Sequence, residues 1–176
     1  MERAGTAERF DEKAYLKATG AEFQQARLSR GMSRESLAER SGVHLNTISA
    51  LERGAHDVNS TTKCWILAAL GCKSLVMENL VDRIVLHDDP AAYPRSDIQS
   101  MPDSAVVRII GQAIRERRET LDATLEDIAT LADVHVNTLW NIERGLVSAT
   151  GIHLHRIYRA LGICVVTPEP DGIILE

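Results

Sequence analysis

Two short stretches hold the side chains best equipped for recognition chemistry: VHLNTISALERG at 43–54 and VHVNTLWNIERG at 134–145. An asparagine carboxamide sets a donor beside an acceptor, so Asn46 and Asn137 can pair with the donor–acceptor edge of adenine. Arg53 and Arg144 carry a planar, permanently charged fork that suits phosphate, and Leu45 is an apolar group that can meet a thymine methyl. His44 and His135 serve either as phosphate donors or as polar residues that start a helix. Catalysis has no comparable foothold. The carboxylates of LEDIA at 125–129 lie on an expected exposed helix, without a nucleophile, a glycine-rich phosphate loop or an acid–base pair, so the chain is read as a non-enzyme. His153 and His155 are two residues apart on an expected helix and point to different sides, so neither a metal site nor a cofactor is expected. Cys64, Cys72 and Cys164 lack CxxC spacing and fit reduced thiols.

The two stretches belong to a longer internal match. Residues 20–71 align without a gap on 111–162, 91 positions further on, and the identities concentrate in VHxNTxxxxERG. Each copy reads as a run of short helices. In the first, Phe23 and Ala26 mark one helical face, Gly31 stops that helix and Ser33 caps the next. A tight turn at Ser41-Gly42 follows, then a helix with Ile48 and Leu51 inward and Gly54 at its end. The segment Trp65–Leu70 forms the last helix, closed by Gly71. In the second, Thr124 is the cap, Ile128, Leu139, Ile142 and Ile157 face inward, and Gly145 and Gly162 are the stops. The apolar runs 72–77, 163–167 and 173–176 fit short strands. Pro90, Pro94 and Pro102 forbid a continuous helix across the middle. The expected organisation is therefore an arm or helix at 1–17, a first domain at 18–81, a linker at 82–103, a second domain at 104–164 and a strand or tail at 165–176.

A net charge of -5 runs against a polyanion-binding role, but part of the acidity falls in the middle, at Asp82, Asp88, Asp89, Asp97 and Asp103, and in the tail, at Glu169, Asp171 and Glu176. Local charge, not the total, decides whether a face can meet phosphate. No window approaches the length of a membrane span, and the charged start MERAGTAERFDEK does not fit a signal peptide, so a cytoplasmic location is expected.

MSRESLAERSGVHLNTISALERG, echoed by ATLEDIATLADVHVNTLWNIERG, resembles the phage repressor and Cro-like (xenobiotic-response-element) family of helix-turn-helix regulators, here as a tandem copy. The aliphatic run after Ala-Leu-Gly more loosely resembles antitoxin-type members that dimerise through a strand. The resemblance implies an all-α fold of two tandem four- or five-helix helix-turn-helix domains, with short strands after each domain and at the C-terminus. It implies a DNA-binding transcriptional regulator, more a repressor than an activator, with its third helix in the major groove. The residues expected to face DNA are Arg34, His44, Leu45, Asn46, Ser49, Ala50 and Arg53, with His135, Val136, Asn137, Trp140, Asn141 and Arg144 in the second copy. It also implies packed ion pairs, Arg27 with Glu52 and Arg118 with Glu143, tying the first helix of each copy to the third. Double-stranded DNA is the expected partner. A second copy of the chain, bound through the arm or the C-terminal strand, and a protein such as a toxin or another regulator are the further partners this reading admits. Departures weaken the second copy: Leu125 replaces Arg34, Asp122 and Asp133 replace Gly31 and Gly42, and Trp140 is bulky.

Overall fold

Small polar residues start the helices, and residues able to take a left-handed backbone stop them. Asp11 accepts from the Ala14 amide and opens α1 (Glu12–Ser29), and Ser33 accepts from Ser36 to open α2 (Arg34–Ser41). Gly42, at φ +70°, ends α2 and turns the chain toward α3 (Leu45–Glu52). Asn59 caps α4 (Ser60–Leu70), which runs into the hairpin β1 (Cys72–Glu78) and β2 (Val81–Leu86). The second half repeats the series as α5 (Asp103–Thr120), α6 (Leu125–Leu131), α7 (Val136–Glu143), α8 (Gly151–Ala160), β3 (Val165–Glu169) and β4 (Gly172–Leu175). Thr124 and Asp127 form a reciprocal capping box at α6. The computed structural model describes residues 9–89, 100–169 and 172–176. Residues 1–8 of the expected arm, 90–99 of the expected linker and 170–171 of the expected tail lie outside the described residues. The stretch read as linker opens inside β2, and the stretch read as an arm already contains the start of α1.

The expected all-α class with tandem domains is corrected by the sheet. The fold is mixed: eight helices among the described residues accompany one four-stranded antiparallel sheet in the order β2-β1-β3-β4. β1 from the first half pairs with β3 from the second, and one core runs from Phe23, Ile66 and Leu75 to Ile114, Leu139, Ile157 and Val166. The physical reason is that a two-stranded hairpin is marginal alone and leaves an open edge. Joining the two inner edges gives four strands, whose buried Leu75, Met77 and Val166 face a helical layer.

The joint has an approximate two-fold relation. Leu75 stands opposite Val166, and Asn59 bridges Thr150; in each pair the partners are 91 positions apart. The backbone bonds beside that bridge are reciprocal: Ser60 N donates to Ala149 O at 2.6 Å, and Gly151 N donates to Val58 O at 3.0 Å. Matched positions that meet each other are the signature of an isologous contact, here made within one chain.

Candidate nucleic-acid interface

α3 is fixed by what lies beneath it. Ile48 and Leu51 are buried, and α1 approaches so closely that a Cβ at Gly20 would sit on the Leu51 carbonyl oxygen. Arg27 donates from Nε to Glu52 Oε1 at 2.5 Å and from Nη2 to Oε2 at 2.9 Å, and its Nη1 reaches the Met32 carbonyl. Burial alone pushes the Glu52 carboxyl up, and the bonds from Arg27 and Arg34 outweigh it, holding the group below the usual carboxylate range. The opposite face carries His44, Leu45, Asn46, Ser49, Ala50 and Arg53, all reachable by solvent. The Arg53 guanidinium donates to Ser49 Oγ at 2.9 Å. His44 Nδ1 accepts from the Asn46 amide at 3.2 Å, which requires a lone pair on Nδ1 and leaves the outward Nε2 as the donor. Arg34 donates from Nε to Glu52 Oε2 at 2.7 Å, so this residue, expected on the DNA face, also supports α3 from below.

The second half copies the frame and changes the face. Arg118 grips Glu143 at 2.7 and 2.8 Å, a Cβ at Gly111 would meet the Ile142 carbonyl, and Leu139 and Ile142 are buried. His135 Nδ1 accepts from the Asn137 amide at 3.1 Å, as in the first half. His135, Val136, Asn137, Trp140, Asn141 and Arg144 all reach solvent. Asp122 and Asp133, at φ +52° and +50°, take the backbone of the glycines they replace, and Asp133 pairs with Arg156. Among the described residues Arg118 is the one arginine paired with Glu143, and Leu125 occupies the position that matches Arg34. The Arg144 guanidinium lies 4.6 Å from the Trp140 ring centroid, a cation–π contact. Leu131 is 70% exposed and Trp140 40%, with Leu146 and Val147 also open. The matching first-half positions are Arg40, Ser49, Ala55 and His56.

At the joint between the two halves lies a polar cluster that sequence reasoning missed. The Asp82 carboxylate, 1% exposed, receives the Lys63 ammonium, the Tyr15 hydroxyl at 2.6 Å and His155 Nδ1 at 2.6 Å. His155 Nε2 faces the Asn79 carbonyl at 3.1 Å, so this histidine is committed to the joint between the halves. Burial alone pushes the Asp82 carboxyl up, and the Lys63 charge with the bonds from His155 and Lys63 holds it well below the usual carboxylate range. Burial likewise opposes the charge on Lys63, and Asp82 outweighs it, holding the ammonium above the usual amine range. Asp57 spans the same joint, accepting from the Ile152 amide in the first turn of α8 at 2.8 Å. The signal available in the sequence was the 91-residue offset itself: Tyr15, Lys63 and Asp82 match Val106, Leu154 and Ile173, three polar residues on three apolar ones.

A family model described as Helix-turn-helix matches residues 23–73, which span α1 from Phe23 through the first two residues of β1. The match makes this stretch similar to the helix-turn-helix of DNA-binding transcription regulators. No curated protein and no solved structure matches the chain. No helix among the described residues is long and apolar enough to cross a membrane.

Proposed function

We propose that the chain is a sequence-specific, non-enzymatic regulator of transcription, acting in the cytoplasm as a repressor, and that α3 and α7 read neighbouring major grooves of one DNA duplex. The observation that carries this is the pairing, in each half, of an exposed asparagine at the second position of an eight-residue helix with a bidentate Arg–Glu pair holding that helix from behind. The two halves are read as an internal duplication, each presenting one recognition helix, and the reciprocal joint at Asn59 and Thr150 supports this. A two-fold arrangement suits half-sites whose centres lie about 34–36 Å apart on one side of the duplex. Leu45 opposite Val136, Ser49 opposite Trp140 and Ala50 opposite Asn141 make those half-sites unlike, so the operator is asymmetric.

Selection of bound fragments from random duplexes, followed by footprinting, tests the reading. Asn46→Ala is expected to lower affinity for the selected site roughly 5- to 150-fold, from the loss of one bidentate base contact worth about 1–3 kcal/mol. Affinity should fall steeply with salt as phosphate contacts release counterions. Failure of the intact chain to enrich any sequence at low ionic strength would refute the reading.

The exposed Leu131, Trp140, Leu146 and Val147 favour a second reading, in which the second half docks a protein, such as a toxin or another regulator, while the first half holds DNA. Under that reading Asn137→Ala leaves duplex affinity unchanged, whereas two-grooved reading requires it to fall.

A further inference from the structure

An antiparallel sheet that buries one face ordinarily alternates apolar residues inward with polar residues outward. The inward positions of this sheet follow the rule: Leu75, Met77 and Val166 lie in the core, with Ile84, Leu86, Ile173 and Leu175 packed against it. The outward positions break it. Val76, Val85, Val165 and Ile174 take the alternate places, the first three half-buried and Ile174 45% exposed. Branched side chains suit strands in general, but threonine has the same shape as valine and tolerates water, and only Thr167 uses it among these alternate positions.

The strand register sets the outward residues in two rows across all four strands. One row runs Arg83, Val76, Val165, Glu176: Val76 pairs with Arg83 of β2 and with Val165 of β3, and Val165 exchanges backbone bonds with Glu176 at 2.8 and 2.9 Å. The other row holds Val85 beside Ser74 and Ile174 beside Thr167. The middle of the face is therefore apolar or small, and two opposite charges stand at the two ends of one row. Strands about 4.8 Å apart separate Arg83 from Glu176 by roughly 14 Å, too far to pair within one molecule. Arg83 has Glu78 at 3.4 Å, an exposed pair of the kind that contributes little.

Two sheets that pack face to face keep their strands nearly aligned. A two-fold axis along the strands lays each row on its own reverse, so that Val76 meets the partner's Val165 and Val85 meets the partner's Ile174. Arg83 then meets the partner's Glu176, and by symmetry this charge pair forms twice. An axis across the strands would set Arg83 on Val85 and Glu176 on Ile174, leaving both charges against apolar groups. The charges thus select one arrangement of one partner.

We propose that the outer face of the sheet is a docking surface for a second copy of this chain, packed face to face about a two-fold axis along the strands. A face only four strands wide falls short of the roughly 800 Å² per partner of a standard interface, so the dimer is weak and depends on concentration. The pairing of β1 with β3 is left intact, and the proposal does not rest on the DNA-binding reading.

The test follows the full chain, without DNA, by sedimentation up to about 1 mM, which reaches dissociation constants in the millimolar range. The mean mass is expected to rise from that of one chain toward that of two. Val76→Thr combined with Ile174→Thr, which keeps the branching that strands favour, should hold the chain monomeric with unchanged circular dichroism. Arg83→Glu and Glu176→Arg should each weaken association roughly tenfold or more by setting like charges together. An equal mixture of these two variants should recover it, because every charge at the interface then faces its opposite. The proposal is overturned if the original chain stays monomeric throughout the range, if the threonine variant associates like the original, or if the mixture associates no better than its components. Association that survives the threonine changes and is lost in Trp140→Ser would place the contact on the open face of the second half and would overturn it as well.

Discussion

Removing one charge from the Lys63–Asp82 pair should be far more damaging than removing both. Lys63→Leu leaves the Asp82 carboxylate in a site where it is 1% exposed, with only the Tyr15 hydroxyl and His155 as partners. A unit charge pair at about 4 Å is worth about 4 kcal/mol at an effective dielectric near 20, and stranding a buried charge costs about 3–5 kcal/mol. The penalty has a ceiling at neutral pH. The stranded carboxyl can take up a proton instead, at about 1.4 kcal/mol for each pH unit above an ordinary value near 4, or about 4 kcal/mol at pH 7. The molecule already holds the apolar solution to the same position, since Leu154 and Ile173 occupy the matching sites on the other flank. The double variant Lys63→Leu with Asp82→Ile is therefore expected to lie within about 1–2 kcal/mol of the original chain, giving a coupling energy of about 2 kcal/mol or more. Urea unfolding followed by circular dichroism measures all three. A loss in the double variant equal to the sum of the two single losses would show that the pair is not a coupled unit and would refute the reasoning.

The same pair sets the pH limits of stability. Because the Asp82 carboxyl is depressed in the fold, its contribution is full above the ordinary carboxylate pKa, near 4, and is lost as pH falls below that toward the folded value. Because the Lys63 ammonium is raised, its contribution is full below the ordinary amine value, near 10, and is lost as pH rises beyond it. The urea midpoint of the double variant should accordingly fall less than that of the original chain between about pH 4 and pH 2, and parallel acid limbs would count against the assignment. At the helix end, Asp122→Gly removes a side chain from a backbone at φ +52°, where the matching Gly31 has open space around a would-be Cβ. A gain of roughly 0.5–1 kcal/mol is expected, which raises the thermal midpoint by about 1–4 °C; a lower midpoint would mean that the aspartate contributes more than it strains.

What could be read from the residues was local. Ser33 and Thr124 as helix starts, and Gly42 and Gly71 as stops, follow from backbone preferences that a few neighbouring residues determine. The apolar runs at 72–77, 163–167 and 173–176 point to strands, but all of β2 beyond Val81 falls in the stretch that Pro90, Pro94 and Pro102 mark as a linker. The pairing of β1 with β3 could not be seen at all, since it joins residues about ninety positions apart whose register only the assembled joint fixes. No local pattern marks Lys63 or Asp82 for burial, which depends on Tyr15 and His155 arriving from elements 48 to 92 residues away from Lys63. The side chains on the open faces of α3 and α7 could be named by type, but not their setting. Nothing in Arg34 alone indicates that Glu52 takes its Nε, or in Trp140 that it lies under Arg144.

On the duplication reading, the departure from symmetry has a physical logic that a homodimer could not use. In an isologous contact between two identical chains every residue occurs on both sides, so a lysine at position 63 would be faced across the axis by a second Lys63, and Asp82 by a second Asp82. Two buried ion pairs would then have to be desolvated where one is now. Carried in a single chain, the two flanks are free to differ, and Lys63 and Asp82 stand across from Leu154 and Ile173. The charged pair adds little net stability by comparison with an apolar joint, but it penalises any arrangement that strands it. A swapped pairing, in which β1 met β1 of another molecule, would place two Lys63–Asp82 pairs around one axis, each without the His155 that the second half supplies. The unsymmetric filling thus works against intermolecular joints and keeps α3 and α7 within one molecule, as the proposed reading of one asymmetric duplex site requires.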